Sequence, residues 1–88
     1  MITNELFRQC LDAIPQEQRA SFELSYNVAG RLDAVLKEQG VTQHELARRL
    51  GKRDSEVSKW LTGRHNFTLS TIAYIEAALG EKLISVMR

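Results

Sequence analysis

Residues 42–63 read Thr42-Gln43-His44-Glu45-Leu46-Ala47-Arg48-Arg49-Leu50-Gly51-Lys52-Arg53-Asp54-Ser55-Glu56-Val57-Ser58-Lys59-Trp60-Leu61-Thr62-Gly63. Thr42 with Glu45 three residues later is a capping box, in which each side chain can satisfy the other's backbone N–H at a helix start. Leu46, Ala47 and Leu50 follow at helical spacing, and Gly51 ends the run. A second run, Asp54 to Thr62, closes at Gly63. Within it Val57, Trp60 and Leu61 fall on one side at i, i+3 and i+4, while Ser55, Ser58, Lys59 and Thr62 gather on another. The spacing predicts a nine-residue helix, a tight turn on Gly51 and a second nine-residue helix. Ala47 supplies the small residue that close packing of two such helices needs.

Working outward, the same punctuation divides the rest of the chain. Asn4 can cap a helix whose apolar positions are Leu6, Phe7, Cys10, Leu11 and Ile14, stopped by Pro15. Leu24, Val28, Leu32, Val35 and Leu36 mark the longest helix, running to Gly40. Thr68 caps a last one through Leu69, Ile72, Ala73, Ile75, Ala78 and Leu79 to Gly80. The expected architecture is all-α, five helices, with a β-prone tail from Lys82 to Arg88 that is too short to form a sheet alone. Such a tail needs a partner strand or a surface to lie on. Residues 1–20 read as an appended helical arm and residues 21–88 as the core domain.

Eighty-eight residues suffice for one domain with one core, burying about 60–65% of the surface the unfolded chain exposes. The chain is 43% hydrophobic and 26% charged, within the globular range. It holds no apolar run near the roughly 20 residues that span a bilayer, and Met1 to Glu5 lacks the features of a signal peptide, so a cytoplasmic location is expected. A single cysteine, Cys10, excludes an intrachain disulfide and a cysteine zinc site. The net charge is +1, but it is polarised: residues 1–40 carry four basic and six acidic side chains, residues 41–88 eight and five. Arg48, Arg49, Lys52, Arg53, Lys59 and Arg64 face only Asp54 and Glu56 within residues 48–64. A local basic patch of this kind is the footprint of a nucleic-acid binder, and an exposed helix face produces one as well.

The pattern T-Q-x-E-L-A-x-x-L-G-x-x-x-x-x-V-S-x-W-x-x-G over residues 42–63 closely resembles the Cro/repressor-type (Xre family) helix-turn-helix DNA-binding proteins. The continuation Gly63-Arg64-His65-Asn66-Phe67-Thr68-Leu69 and Ile75-Glu76-Ala77-Ala78-Leu79-Gly80 is similar to a bacterial subgroup of regulators and antitoxins. The resemblance covers about residues 21–80. It implies that Asp54, Ser55, Ser58 and Lys59 occupy base-reading positions and that Gln43 occupies a phosphate-holding one. Arg53, Arg64, His65 and Asn66 flank the helix where phosphates should pass.

The residues agree with that implication. Short hydroxyl side chains plus one lysine suit a helix pressed into a major groove, where bulk would hold the backbone away from base edges. Lys59 can donate to guanine O6 and N7, and Asp54 can accept from cytosine N4. Arg53 stands where the family commonly has a Ser or Thr cap, so Asp54 has a second reading as cap or first-turn anion. Glu56 is unhelpful to DNA affinity and is expected on the flank. Trp60 reads as core from its spacing to Val57. His44 and His65 are too isolated to bind a metal and read as solvated or phosphate-contacting.

Catalytic signatures are lacking: there is no G-x-S-x-G, no H-E-x-x-H, and Gly51-Lys52 is not followed by the Ser or Thr of a phosphate loop. No enzyme, cofactor or metal is expected. The expected function is a homodimeric repressor that binds double-stranded DNA with a recognition helix at about 54–62. The alternatives are an antitoxin that binds a toxin protein and autoregulates its operon, and a protein-interaction module that does not bind DNA.

Overall fold

A computed structural model describes Gln9 and residues 15–86. These form four helices: α1 (Gln16–Gln39), α2 (Gln43–Leu50), α3 (Asp54–Leu61) and α4 (Leu69–Leu79). The five-helix expectation is therefore met by four among the described residues. The first expected helix, Asn4 to Ile14, lies outside them apart from Gln9, which is helical and exposed.

Helix α1 starts at Pro15, whose extended backbone (φ −52°, ψ 143°) places it outside the helix while its carbonyl accepts from the N–H groups of Gln18 and Arg19. A proline suits this place because its missing N–H is not required at a helix start. The helix runs unbroken through residues 20 and 21. Glu17 in the first turn and Lys37 in the last both complement the helix dipole. Its buried residues begin only at Ser25 and continue through Val28, Ala29, Leu32, Val35 and Leu36. Leu24, expected in the core stripe, is 61% exposed. The helices that pack on α1 cover its later turns, so periodicity alone places Leu24 one turn too far toward the N-terminus.

Against this half of α1 the shorter helices contribute Leu46, Ala47 and Leu50 from α2, Val57 and Trp60 from α3, and Ile72, Ile75 and Leu79 from α4. Leu32, Leu46 and Ile75 are wholly enclosed, each contributing about 1.5–3 kcal/mol relative to exposure. Ala47 is buried within this core. Two side-chain hydrogen bonds tie α4 to the ends of its neighbours. Tyr74 donates its hydroxyl to the Leu50 carbonyl at 3.1 Å, and Gln39 Nε2 donates to the Leu79 carbonyl at 2.8 Å. Each satisfies a carbonyl that a helix C-terminus leaves without an internal partner. Leu69 and Ala73, counted with the apolar face of α4, are exposed.

The tail corrects the β-prone expectation. No strand occurs among the described residues. Leu83 is instead buried in the core and Ile84 is packed against it, while Ser85 and Val86 are exposed. Glu76 Oε2 accepts from the backbone N–H groups of Leu83 at 2.7 Å and Ile84 at 3.2 Å. Arg31 Nε donates to the Lys82 carbonyl at 3.1 Å, and its guanidinium lies 3.7 Å from Glu81. One carboxylate thus engages the N–H groups of both residues, so neither is free to bond a strand partner.

Candidate nucleic-acid interface

The turn between α2 and α3 aims the candidate reading surface. Gly51 adopts the left-handed conformation (φ 66°, ψ 32°), which only glycine takes without strain, and Lys52 N–H bonds back to the Ala47 carbonyl at 2.9 Å. Arg53 is extended (φ −81°, ψ 150°) and occupies the N-cap position of α3 without a side-chain cap bond. Asp54 is the first residue within the helix, not its cap, and with Glu56 puts negative charge at the positive end of the dipole. Val57 and Trp60 are pinned in the core, so Ser55, Ser58, Lys59 and Thr62 are turned out and exposed. Trp60 is core, as its spacing predicts.

The first turn of α2 meets this outward face. Ser58 Oγ donates to Gln43 Oε1 at 3.1 Å. His44 Nδ1 lies 3.0 Å from both carboxylate oxygens of Asp54. Gln43, His44, Asp54 and Ser58 therefore form one exposed cluster across the two helices. Of these, His44 reads from the sequence only as a solvated or phosphate-contacting histidine, and its pairing with Asp54 is new. Its partner is ten positions away across a turn, and no periodicity reports such a pair.

Thr42 caps α2 as expected, its hydroxyl accepting from Glu45 N–H at 3.1 Å. The return half of the capping box is replaced, because Glu45 takes Arg48 Nη2 at 2.7 Å and Arg49 Nε at 3.2 Å. Charge-assisted bonds to two guanidiniums outcompete one bond to a neutral N–H. Hydrogen bonds from Arg48 and then Arg49 hold the Glu45 carboxyl below its ordinary 4.5. Part of the positive charge counted in residues 48–64 is thus engaged within α2.

Beyond α3, Thr62 Oγ1 donates to the Lys59 carbonyl at 2.7 Å and accepts from Arg64 N–H at 3.2 Å. Gly63 (φ 79°) presses on α1: a Cβ there would lie 2.8 Å from the Tyr26 ring and 3.3 Å from its Cα. Both the backbone sign and the space demand glycine. His65 is half-buried, its ring 5.0 Å from Phe67 edge to face and 6.4 Å from Trp60. Arg53 and Arg64 are exposed at the two ends of α3. Asn66 is also exposed, but it lines a groove with Leu24, Phe67 and Leu69, apart from the cluster of Gln43, His44, Asp54 and Ser58.

The arrangement offers short hydroxyls, one lysine and one carboxylate paired with His44 on the exposed face of α3, with cations at its ends. Such a surface can donate to and accept from base edges while the flanks meet phosphate. No described helix is long and apolar enough to cross a membrane. A family model described as Helix-turn-helix matches residues 32–85, more than half of the chain and the whole of α2 through α4. No curated protein and no solved structure matches the chain. The chain therefore belongs to the Xre-type helix-turn-helix family of DNA-binding regulators.

Proposed function

We propose that this chain is a sequence-specific transcriptional repressor that binds double-stranded DNA as a homodimer, with α3 and Thr62 lying in the major groove. The observation that carries the reading is the outward face of α3, where Ser55, Ser58 and Lys59 stand exposed while Val57 and Trp60 are locked inward. Asp54, Ser55, Ser58 and Lys59 read base edges; Gln43, Arg53, Arg64, His65 and Asn66 hold phosphates. One such helix reads too few base pairs to select a single genomic site. Two protomers on a pseudo-palindrome, with half-sites about 34–36 Å apart, supply the rest.

Selection from a random duplex library, followed by titration of the enriched sequence at several salt concentrations, tests the reading. For a dimer touching about six to ten phosphates, affinity falls on the order of 10³–10⁵ between 50 and 200 mM salt. Failure to enrich any sequence, or a flat salt response, overturns it and favours a protein-interaction module that does not bind DNA. An antitoxin that autoregulates its operon is distinguished by a toxin protein, encoded in a neighbouring reading frame, that co-purifies with the DNA-binding form.

A further inference from the structure

The family match begins at residue 32, whereas α1 begins at Gln16, so most of α1 lies ahead of the matched unit. In that part Arg19, Glu23, Tyr26 and Asn27 share one helix face at i, i+4, i+7 and i+8 and border a groove of 580 Å³. Across it stand Thr62, Gly63 and Arg64. Thr62 ends the outward row of α3 and Arg64 flanks that helix, so the groove is continuous with the exposed face of α3. The charges lining it are Arg19 and Arg64 against Glu23, a net positive set. The Thr62 hydroxyl is already engaged by the Lys59 carbonyl and the Arg64 N–H. The Tyr26 hydroxyl, the Asn27 amide and the Arg64 guanidinium make no hydrogen bond among the described residues. All three donate, and donors gathered around a cation match an anion with several acceptor oxygens, which a phosphodiester is.

We infer that Tyr26 and Asn27 hold the DNA backbone beside Arg64. The Tyr26 hydroxyl donates to the phosphate that Arg64 pairs with, and the Asn27 amide donates to the same strand. This role rests on the DNA-binding reading and extends it to a helix face ahead of the family match. Gly63 has no side chain, so the Tyr26 ring lies against the backbone next to Arg64, yet Tyr26 remains 69% exposed. A ring held in this way loses little rotamer freedom when its hydroxyl bonds. Neither donor is charged, so both add affinity for every sequence without displacing further counterions. Glu23, one turn before Tyr26 and Asn27, is the one carboxylate lining the groove and opposes the phosphate.

Variants of the full chain are titrated with the selected duplex and with a scrambled one at several salt concentrations. Tyr26→Phe keeps the ring on Gly63 and removes only the hydroxyl. Affinity should fall about three- to tenfold on both duplexes, with the salt slope of the parent. Asn27→Ala should act in the same way. Glu23→Gln removes no donor to phosphate and should tighten binding to both duplexes about two- to threefold. Tyr26→Phe combined with Arg64→Ala should cost less than the product of the separate factors, because both act on one phosphate. If the parent selects a duplex and Tyr26→Phe binds it as tightly, or loses affinity for the selected sequence alone, the inference is overturned and the DNA-binding reading stands. If the parent selects no duplex, both fall. A changed oligomeric state of DNA-free Tyr26→Phe, read by sedimentation, assigns the groove to a second copy and also overturns the inference.

Discussion

His44 Nδ1 stands 3.0 Å from both oxygens of the Asp54 carboxylate, joining the first turn of α2 to the first residue of α3. Both side chains are largely exposed, so the contact adds little to folding stability. Its consequence lies in where the carboxylate points. The imidazole gives the carboxylate a partner across the turn and so limits the directions in which it can accept a further bond.

The first prediction follows from that contact. Asp54→Ala and His44→Ala should relax base preference at the same base pair, by about 1–3 kcal/mol for Asp54→Ala and by less for His44→Ala. Competition binding against a panel of singly substituted sites measures this. Relaxation at two different positions would show that His44 does not act through Asp54.

Lys59 and the flanking residues should separate in kind. Lys59→Ala should weaken the selected site by roughly 1–3 kcal/mol and relax preference at one base pair. Gln43→Ala and Arg64→Ala should weaken all sequences alike, and Arg64→Ala should also reduce the salt slope by about one. Titrations of specific and scrambled duplexes at three salt concentrations distinguish the classes. Equal loss on every sequence for Lys59→Ala would misplace the reading face.

Gly63→Ala should destabilise the folded protein by about 1–3 kcal/mol, because the position combines a left-handed backbone with a close approach to Tyr26. In a chain of this size that lowers the melting temperature by about 4–8 °C per kcal/mol, read by circular dichroism. Gly30 has nothing within 4 Å of an added Cβ and lies inside α1, so Gly30→Ala should leave stability equal or raised. Equal effects at the two positions would show that the approach of Tyr26 does not make glycine necessary at position 63.

The tail should behave as part of the core. Leu83→Ala should cost about 2–5 kcal/mol, as for other buried leucines. Deleting residues 82–88 should then lower the melting temperature of the protein in the absence of DNA. An unchanged melting curve would mean that Leu83 is not held as described.

Glu76 makes that same tail acid-sensitive. Backbone N–H bonds from Leu83 first and Ile84 second hold its carboxyl below its ordinary 4.5. A carboxyl with a folded value below its unfolded one contributes stability that is complete above 4.5 and is lost as pH falls through the folded value. Glu76→Gln should therefore melt below the parent at pH 7, and the gap should close as the pH drops below 4.5. Melting curves recorded between pH 7 and 2 check the sign; a constant gap would exclude the ionised carboxylate as the cause.

Much of the fold was legible because its signals are local. Thr42 and Thr68 cap helices, Gly40, Gly51 and Gly80 end them, and Val57 with Trp60 turns inward, each through backbone geometry set within a few residues. The outward row Ser55, Ser58 and Lys59 follows from the same period. What spacing could not report is where packing stops and which polar partner prevails. Leu24 and Leu69 sit on helical stripes yet stay exposed, because exposure depends on how far neighbouring helices extend. In the β-prone tail, the N–H groups of Leu83 and Ile84 are engaged by Glu76 and not by a strand.

The sequence by itself determined the α2–turn–α3 unit, its buried face and its family, since these rest on short-range geometry and on residue types at fixed intervals. Only the tertiary structure decided that His44 holds Asp54, that Gln43 meets Ser58, that Glu45 binds Arg48 and Arg49, and that Gly63 must admit Tyr26. Those outcomes depend on the crossing of helices and on competition among several polar partners within reach, and a one-dimensional pattern encodes neither.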